Sequence, residues 1–344
     1  MTETRPILAV TMGDPAGIGP EIAVRALMAP EVRACSRSFL IGDARVFQRA
    51  LTVCGLPASL NSIQGPEAIT DRHAVIDVMH QSTADPAVLQ IGKVQALGGQ
   101  AAYAAIRTSI DLAMAQRIAG IATTPINKES LKAARIPFIG HTEMFAEHTG
   151  ARQEMTMFTI SGLKIFFLTR HMSLVDACRS ITRDRTLSGI EKAMKALRQL
   201  GIASPHLAVA ALNPHGGEDG LFGREEMDAI KPAIEAARAR GMRVSGPVPA
   251  DSVFHMARIG RYDAVLSLYH DQGHIAAKMM DFEKTVSVTL GLPILRTSVD
   301  HGTAFDIAGT GRASAVSMIE AIKVAADYVV RGVRLGEERA QAAE

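Results

Sequence analysis

The chain has 344 residues, of which 47% are hydrophobic and 4% aromatic, it lacks Trp, and its formal net charge is +2. This hydrophobic fraction suffices for one large or two smaller buried cores, whereas a near-neutral charge without a basic run argues against nucleic-acid and membrane-surface partners. No apolar stretch approaches the roughly 18 residues that a membrane span needs. The polar start, residues 1–6, predicts no signal peptide, and three scattered cysteines are typical of reduced thiols, so we expect a cytoplasmic protein.

Short apolar runs alternate with amphipathic stretches along the chain, which is typical of parallel βα units with helices on both faces of a sheet. One segment breaks this alternation, because two apolar runs flank residues 161–163 and predict an antiparallel hairpin within a mixed sheet. The predicted strands are 7–11, 39–41, 74–78, 121–123, 155–160, 164–169, 206–212 and 264–269. The predicted helices, in which apolar residues recur at three and four positions, are 99–118, 182–200, 224–240 and 313–330.

A glycine-rich segment, residues 13–21 (GDPAGIGPE), follows the first predicted strand. The dinucleotide-binding fingerprint would need a third glycine three residues after Gly19, where the chain has Ile22, and the Gly-Lys-Ser/Thr of the other common phosphate loop is absent from the sequence. The segment is therefore either a strand-to-helix turn, with Pro20 near the helix start, or a loop that binds a substrate or cofactor.

Three histidines, His171, His215 and His270, each follow an apolar run that predicts a buried strand. The carboxyl ends of strands are where α/β proteins build their sites. Because the three are far apart in sequence, they can meet only in the tertiary structure, where they could bind one divalent metal ion and leave a position open for substrate. Taken singly, each could instead be a hydrogen-bonded cap. Asp271 is close enough to orient a ligand, and His274 would reach the same site if its segment were helical.

Two segments suit an anion. His141 and Thr142 stand just before a helical run, where free backbone N–H groups bind phosphate, although an ordinary helix cap would have the same sequence. Arg296 follows an apolar stretch and could bind a carboxylate or phosphate through two hydrogen bonds, the alternative being a structural arginine with a partner.

A long turn-rich stretch, residues 298–311, contains three glycines, two aspartates and a histidine. Loops of this length inside a compact domain cost backbone entropy and are often functional. An acidic residue there could hold ribose hydroxyls, whereas the alternative is a plain surface connection.

Together these segments resemble the 4-hydroxythreonine-4-phosphate dehydrogenase family (PdxA) over nearly the full chain. The motifs that carry the resemblance are 13–21, 124–128, 140–143, 212–215, 249–251, 269–273 and 290–309. The resemblance implies an α/β fold of two α/β/α lobes around a cleft, similar to isocitrate and isopropylmalate dehydrogenases, and an obligate homodimer. We expect a cofactor-side lobe over 1–130 with 290–344, and a metal, substrate and dimerisation lobe over 131–289.

The resemblance also implies roles for individual residues. Its metal ligands, drawn from both subunits, fall on His171, His215 and His270, and we expect zinc first, with magnesium, manganese or cobalt as alternatives. Its substrate-binding positions fall on His141, Thr142, Lys278, Ser287 and Arg296.

For the cofactor, the resemblance implies NAD or NADP bound without the Rossmann glycine fingerprint. Residues 301–311 resemble the adenosine-binding loop of the wider superfamily, and its positions are His301, Gly302, Asp306 and Gly309. Lys278 and Asp251 are the candidates for proton transfer.

Departures from the vitamin B6 branch of the family concern the substrate. That branch usually has Asn where this chain has Ser287 and Thr where it has Arg170, and residues 273–282 resemble the second branch, which oxidises 4-phosphorylated D-threonate or D-erythronate. We therefore expect metal-dependent oxidation and decarboxylation of such a substrate to dihydroxyacetone phosphate, CO2 and NADH. The alternatives are the 4-phosphooxy-L-threonine dehydrogenase of pyridoxal phosphate synthesis and a non-catalytic metabolite-binding protein.

Overall fold

The computed structural model describes residues 5–333. Residues 1–4 of the polar N-terminus and residues 334–344 of the predicted first lobe lie outside the described residues. The chain forms two compact units, the first comprising Met1–Glu154 with Leu292–Glu344 and the second Met155–Gly291. Among the described helices, none combines the length and the apolar character needed to span a bilayer.

Strands and helices alternate along the described chain. The strands are β1 (Ile7–Thr11), β2 (Arg37–Gly42), β3 (Ser59–Ile63), β4 (Val75–His80), β5 (Gly120–Thr123), β6 (Met155–Ile160), β7 (Leu163–Phe167), β8 (Leu207–Ala210), β9 (Val244–Val248), β10 (Ala264–Ser267), β11 (Val286–Leu290) and β12 (Arg296–Val299). The helices are α1 (Gly19–Met28), α2 (Pro30–Cys35), α3 (Ala44–Val53), α4 (Ala96–Met114), α5 (Lys128–Ala133), α6 (His141–Thr149), α7 (Leu174–Arg179), α8 (Arg183–Gln199), α9 (Lys231–Ala239), α10 (Ala250–Arg258), α11 (His270–Met280) and α12 (Val316–Val330). A short 3₁₀ segment, Pro66–Ala68, an irregular turn, Pro214–Gly220, and a π-helical turn, Glu226–Ile230, complete the set.

The first unit is built on parallel strands in the order β3-β4-β2-β1-β5-β12. Successive residues of the central strand β1, Leu8, Ala9 and Val10, are all buried. Burial on both faces is typical of a parallel sheet that helices cover on each side. The predicted α/β class is therefore confirmed.

Residues 131–154 pack with the first unit, although the predicted lobes divide the chain at residue 130. Met144 and Phe145 of α6 lie in one buried cluster with Ala9 of β1 and Ile106 of α4. The physical reason is that α6 buries its apolar side against α4, which already covers the sheet of the first unit. The assignment of the cofactor and the metal to different lobes stays a prediction.

The second unit has strands in the order β11-β6-β7-β10-β8-β9. Strand β6 runs antiparallel to β7 and β11, and the other neighbouring strands are parallel. The turn between β6 and β7 consists of Ser161 at φ +45° and Gly162 at φ +87°. Two positive φ values in a two-residue turn match the twist of a hairpin. The predicted hairpin and the mixed sheet are confirmed.

The predicted strands do not include β3, β9, β11 and β12. Of these four, β3 and β9 are the outermost strands. Each lies at an edge of its sheet, and β9 contains Gly246 and Pro247, which are rare in strands away from an edge. Edge strands are only half covered, so they need little apolar periodicity. The helix predicted over 224–240 is instead a π-helical turn followed by α9, because Pro232 lacks the N–H that a continuous helix would use.

Candidate active site

In the second unit, His171, His270 and His215 follow strands β7, β10 and β8, which are adjacent and parallel in that order. All three strands are buried, as the apolar runs predict. Parallel neighbours end at the same edge of a sheet, so the three segments that carry the histidines emerge on one side of this unit.

Two of the three imidazoles lie side by side. The ring centroids of His171 and His270 are 5.9 Å apart, and Nδ1 of His270 is 2.6 Å from Oδ1 of Asp271. A hydrogen bond at Nδ1 leaves Nε2 of His270 as the metal-binding nitrogen, which is the usual arrangement of a histidine ligand and its supporting carboxylate. Within residues 5–333, no three His, Cys, Asp or Glu side chains are grouped closely enough to hold a metal ion. His215 therefore does not join the pair inside one chain, and the three-histidine metal site, whose ligands are expected from both subunits, stays a prediction.

The segment around His215 has an unusual backbone. Residues 215–219 all have positive φ, between +40° and +82°, and three of them, His215, Glu218 and Asp219, are not glycine. A left-handed conformation costs an L-residue about 1–2 kcal/mol, so it persists only where other contacts hold it.

Glu226 anchors the two residues that lead into this segment, Leu212 and Asn213. Its carboxylate is completely buried, and Oε1 accepts hydrogen bonds from the backbone N–H groups of Leu212 and Asn213 at 2.8 and 2.7 Å. Oε2 accepts a third from the Asn213 side-chain amide at 2.8 Å. Sequence reasoning missed this residue, since Glu226 stands in an acidic stretch where nothing separates it from its neighbours.

Helix α11 begins at His270 and carries His270, His274 and Lys278 four residues apart, so all three lie on one face. The rings of His270 and His274 stack with centroids 3.6 Å apart. This confirms that the segment is helical and that His274 reaches the same place. The Lys278 ammonium lies 5.1 Å from the ring centroid of Phe282.

Ser287 lies opposite Phe158 in the register of β11 with β6. The Phe158 ring is 4.5 Å from that of His274. Directly opposed residues of antiparallel strands point to the same face, so Ser287 lies on the face of the sheet that α11 covers. Asp251 is the exposed second residue of α10.

In the first unit, Arg296 is only 4% exposed at the start of β12. It donates from Nε and Nη2 to Oγ1 of Thr123, at 3.2 and 2.8 Å, and its guanidinium lies 5.5 Å from the Phe145 ring centroid of α6. Thr123, which the sequence pattern did not single out, thus fixes the direction of the guanidinium.

His141 and Thr142 are the first two residues of α6, after Gly140, which has no side chain to cap the helix. Burial, and then the positive charge of Arg296, lower the pKa of His141 well below its usual value. Its Nε2 is buried and has no hydrogen-bond partner among the described residues. A neutral imidazole, a buried guanidinium and open helix N–H groups together suit an anionic group of a substrate.

Strands β1, β5 and β12 are parallel. The segments that follow β1 and β12, residues 13–21 and 301–311, therefore leave the sheet at the same ends of its strands. Gly302, Asp306 and Gly309 are exposed and His301 is half-buried. The N–H of Ile18 donates to the carbonyl of Thr303 at 3.0 Å. The two glycine-containing loops therefore form one structure.

Known proteins match nearly the whole chain. A family model described as "Pyridoxal phosphate biosynthetic protein PdxA" matches residues 34–325. A relative from Symbiobacterium thermophilum is 59% identical over 326 residues, covering 95% of this chain and 97% of the relative, and one from Halalkalibacterium halodurans is 54% identical over 324 residues, covering 94% and 97%. Both carry the name "Putative D-threonate 4-phosphate dehydrogenase". The crystal structure of 4-hydroxythreonine-4-phosphate dehydrogenase from Klebsiella pneumoniae matches with a TM-score of 0.87 and 41% identity, covering 94% of this chain and 99% of that one.

These matches agree with the resemblance that the motifs predict. The family model covers most of the chain, and the relatives share more than half of their residues over nearly their whole length. Both the relatives and the solved structure are named as dehydrogenases. This chain is accordingly an oxidoreductase and belongs to the PdxA family.

Proposed function

We propose that the protein oxidises and decarboxylates 4-phospho-D-threonate or 4-phospho-D-erythronate, with NAD or NADP as the hydride acceptor. The observation that carries this proposal is the 59% identity, over 95% of the chain, with a relative named for D-threonate 4-phosphate. The presence of Ser287 on the sheet face that α11 covers supports it, since the B6 branch usually has Asn there and this substrate has a hydroxyl in place of an amine.

The chemistry accounts for every atom of the substrate. Oxidation of the C3 hydroxyl yields a β-keto acid, which loses CO2 and gains one proton to give dihydroxyacetone phosphate. A divalent metal ion held by His171, His215 and His270, zinc by preference, with magnesium, manganese or cobalt as alternatives, would supply a Lewis acid that favours an ionised substrate oxygen.

Lys278 and Asp251 are the residues proposed to move protons. One proton leaves the C3 hydroxyl during oxidation, and one must reach C2 after CO2 departs. Lys278 lies on the face of α11 that also presents His270, so it is suited to act beside the histidine pair. Asp251 is exposed to solvent, with which it can exchange a proton.

Arg296, His141 and Thr142 are proposed to bind the phosphate or carboxylate of the substrate. The guanidinium is fixed by Thr123, and the neutral His141 ring can donate or accept a hydrogen bond without repelling Arg296. Ser287 and Lys278 are proposed as further substrate contacts.

The loop over residues 301–311 is proposed to bind the adenosine part of the cofactor through His301, Gly302, Asp306 and Gly309. An exposed carboxylate such as Asp306 can accept hydrogen bonds from ribose hydroxyls. We therefore propose that the first unit binds the cofactor and that the second binds the metal.

The working enzyme is proposed to be a homodimer in which a second copy supplies His215. One chain brings together only two of the three imidazoles. In addition, Ile275, Met279 and Phe282 form an exposed apolar strip on and beside α11, with Met279 81% exposed. A strip of this kind is typical of a surface that another protein covers.

The first test is NAD(P)H formation by metal-loaded protein with 4-phospho-D-threonate, 4-phospho-D-erythronate and 4-phosphooxy-L-threonine, each with NAD and with NADP. The Lys278→Ala variant provides the control for turnover at this site. Preference for either sugar acid supports the proposal, whereas preference for the amino acid would assign the protein to pyridoxal phosphate synthesis. Tight binding without any reduced cofactor would indicate a metabolite-binding protein.

A second test addresses the shared metal site. The His215→Ala and His270→Ala variants should each be inactive and low in metal. When the two are co-expressed in equal amounts, random assembly makes about half of the dimers mixed, and each mixed dimer has one intact site of its two, so activity should return to about a quarter of the wild-type value. No recovery in a proven mixed dimer would show that each chain supplies all its own ligands.

A further inference from the structure

A single buried carboxylate from α1 holds the loop over residues 301–311. Glu21 is only 3% exposed. Its Oε1 accepts the N–H of Gly309 at 2.6 Å, and its Oε2 accepts the N–H of Gly311 at 2.9 Å. Arg25, one helical turn later, donates from Nη2 to the carbonyl of Gly311 at 2.6 Å.

The start of the same loop rests on the turn that precedes α1. The Ile18 N–H donates to the Thr303 carbonyl, and a Cβ on Gly17 would lie 2.8 Å from Thr303, so only glycine permits this approach. Residues 13–21 therefore do more than join β1 to α1, because they contact the 301–311 loop near both of its ends.

Glu21 belongs to α1, but its carboxylate oxygens accept hydrogen bonds from the 301–311 loop. Burial of a carboxylate is costly unless charged hydrogen bonds compensate it, and here both oxygens are used by the loop. Gly309 and Gly311 have φ of +77° and +70°. In these left-handed turns the two N–H groups converge on one carboxylate, which ties them together.

We propose that Glu21 is a positioning residue for the nicotinamide cofactor. It holds the 301–311 loop in its binding conformation before the cofactor arrives, so that binding need not order the loop. The proposal rests on the proposed function, in which this loop binds the adenosine part. It also predicts that Glu21 affects cofactor binding and not the reaction once the cofactor is bound.

Glu21→Gln is the main test, because the amide keeps the size of the side chain but turns its NH2 group toward one of the two glycine N–H groups. We expect the dissociation constant for NADH, measured by fluorescence, to rise about tenfold or more. The kcat at saturating cofactor should change little, and amide exchange in residues 301–311 should be faster without cofactor. Glu67→Gln is the matched control, since Glu67 is exposed in the same unit, where it pairs with Arg117.

The outcomes separate this proposal from the proposed function. If NADH slows exchange in residues 301–311 of the wild type, the loop is the cofactor site, and an unchanged NADH dissociation constant in Glu21→Gln then overturns the role of Glu21 alone. If wild-type NADH binding leaves that exchange unchanged, the cofactor assignment of the loop fails. Should Glu21→Gln not fold, Arg25→Gln removes one bond to Gly311 and is expected to weaken NADH binding a few-fold. No weakening in a folded Arg25→Gln protein would overturn the proposal.

Discussion

Glu21 in the first unit and Glu226 in the second both accept hydrogen bonds from a loop, but the two loops differ in backbone conformation. Each glutamate is buried and uses both oxygens as acceptors for its loop. In the first unit, the positive φ values beside the carboxylate belong to Gly309 and Gly311, which adopt them at little cost. In the second, His215 and the non-glycine residues after it store strain. A buried carboxylate therefore binds the glycine turn directly in one unit and the residues just before a strained turn in the other.

The largest expected difference lies in stability. Glu226→Ala leaves the backbone N–H groups of Leu212 and Asn213 without their acceptor and removes one of the two acceptors of the Asn213 amide, beside a strained segment. We expect a loss of about 3–5 kcal/mol in the free energy of unfolding. Glu21→Ala leaves two donors in an unstrained loop, and a loss of about 2–3 kcal/mol is expected. Urea unfolding of each variant measures both, and Glu235→Ala, exposed on α9, is the control. Equal losses would mean that strain near His215 does not depend on Glu226.

Ligands should distinguish the two loops. Zinc at about a hundred times its dissociation constant should stabilise the folded protein by about 2.7 kcal/mol and slow amide exchange in residues 213–219. NADH should slow exchange in residues 301–311 instead, and a chelator should reverse only the effect of zinc. If either ligand alone slowed amide exchange in both loops, the two loops would not bind different ligands independently.

Substitutions with glycine and alanine should act in opposite directions in the two loops. Glu218→Gly relieves a left-handed residue at φ +40° and should raise stability by about 0.5–1 kcal/mol, after the greater freedom of glycine in the unfolded chain is counted. Gly309→Ala introduces such a residue at φ +77° and brings a Cβ 2.9 Å from Ile91, so it should lower stability by about 1–2 kcal/mol. Thermal melts of the two variants would measure the changes, and a loss in Glu218→Gly would show that its backbone is not strained.

A further expected effect is on acid sensitivity in the first unit. The pKa of His141 is lowered by burial and by Arg296, so the unfolded chain binds a proton there at a higher pH than the folded protein does. Stability should therefore fall as pH drops below the ordinary histidine value of about 6.5. In His141→Gln, the melting temperature should fall less between pH 7 and pH 5 than in the wild type. Parallel curves for the two proteins would contradict the lowered pKa.

Much of the fold follows from local pattern. Strand β1 and strand β6 have the predicted bounds, because continuous burial and a glycine turn leave a clear signal in a few residues. The same signals placed His171 and His270 at strand ends and let His274 be expected beside them. Strand β3, an edge strand with polar residues, gave no such signal.

The sequence by itself determined the α/β class, the family and the identity of the candidate ligands, since these are properties of short motifs. Only the tertiary structure decided which of them meet: His171 with His270 but not with His215, and Arg296 with Thr123. It alone revealed Glu21, whose partners are 288 and 290 positions away along the chain. The reason is physical. The sequence around an acidic residue is the same whether its carboxylate accepts hydrogen bonds from water or from a distant part of the backbone, and only the folded structure determines which.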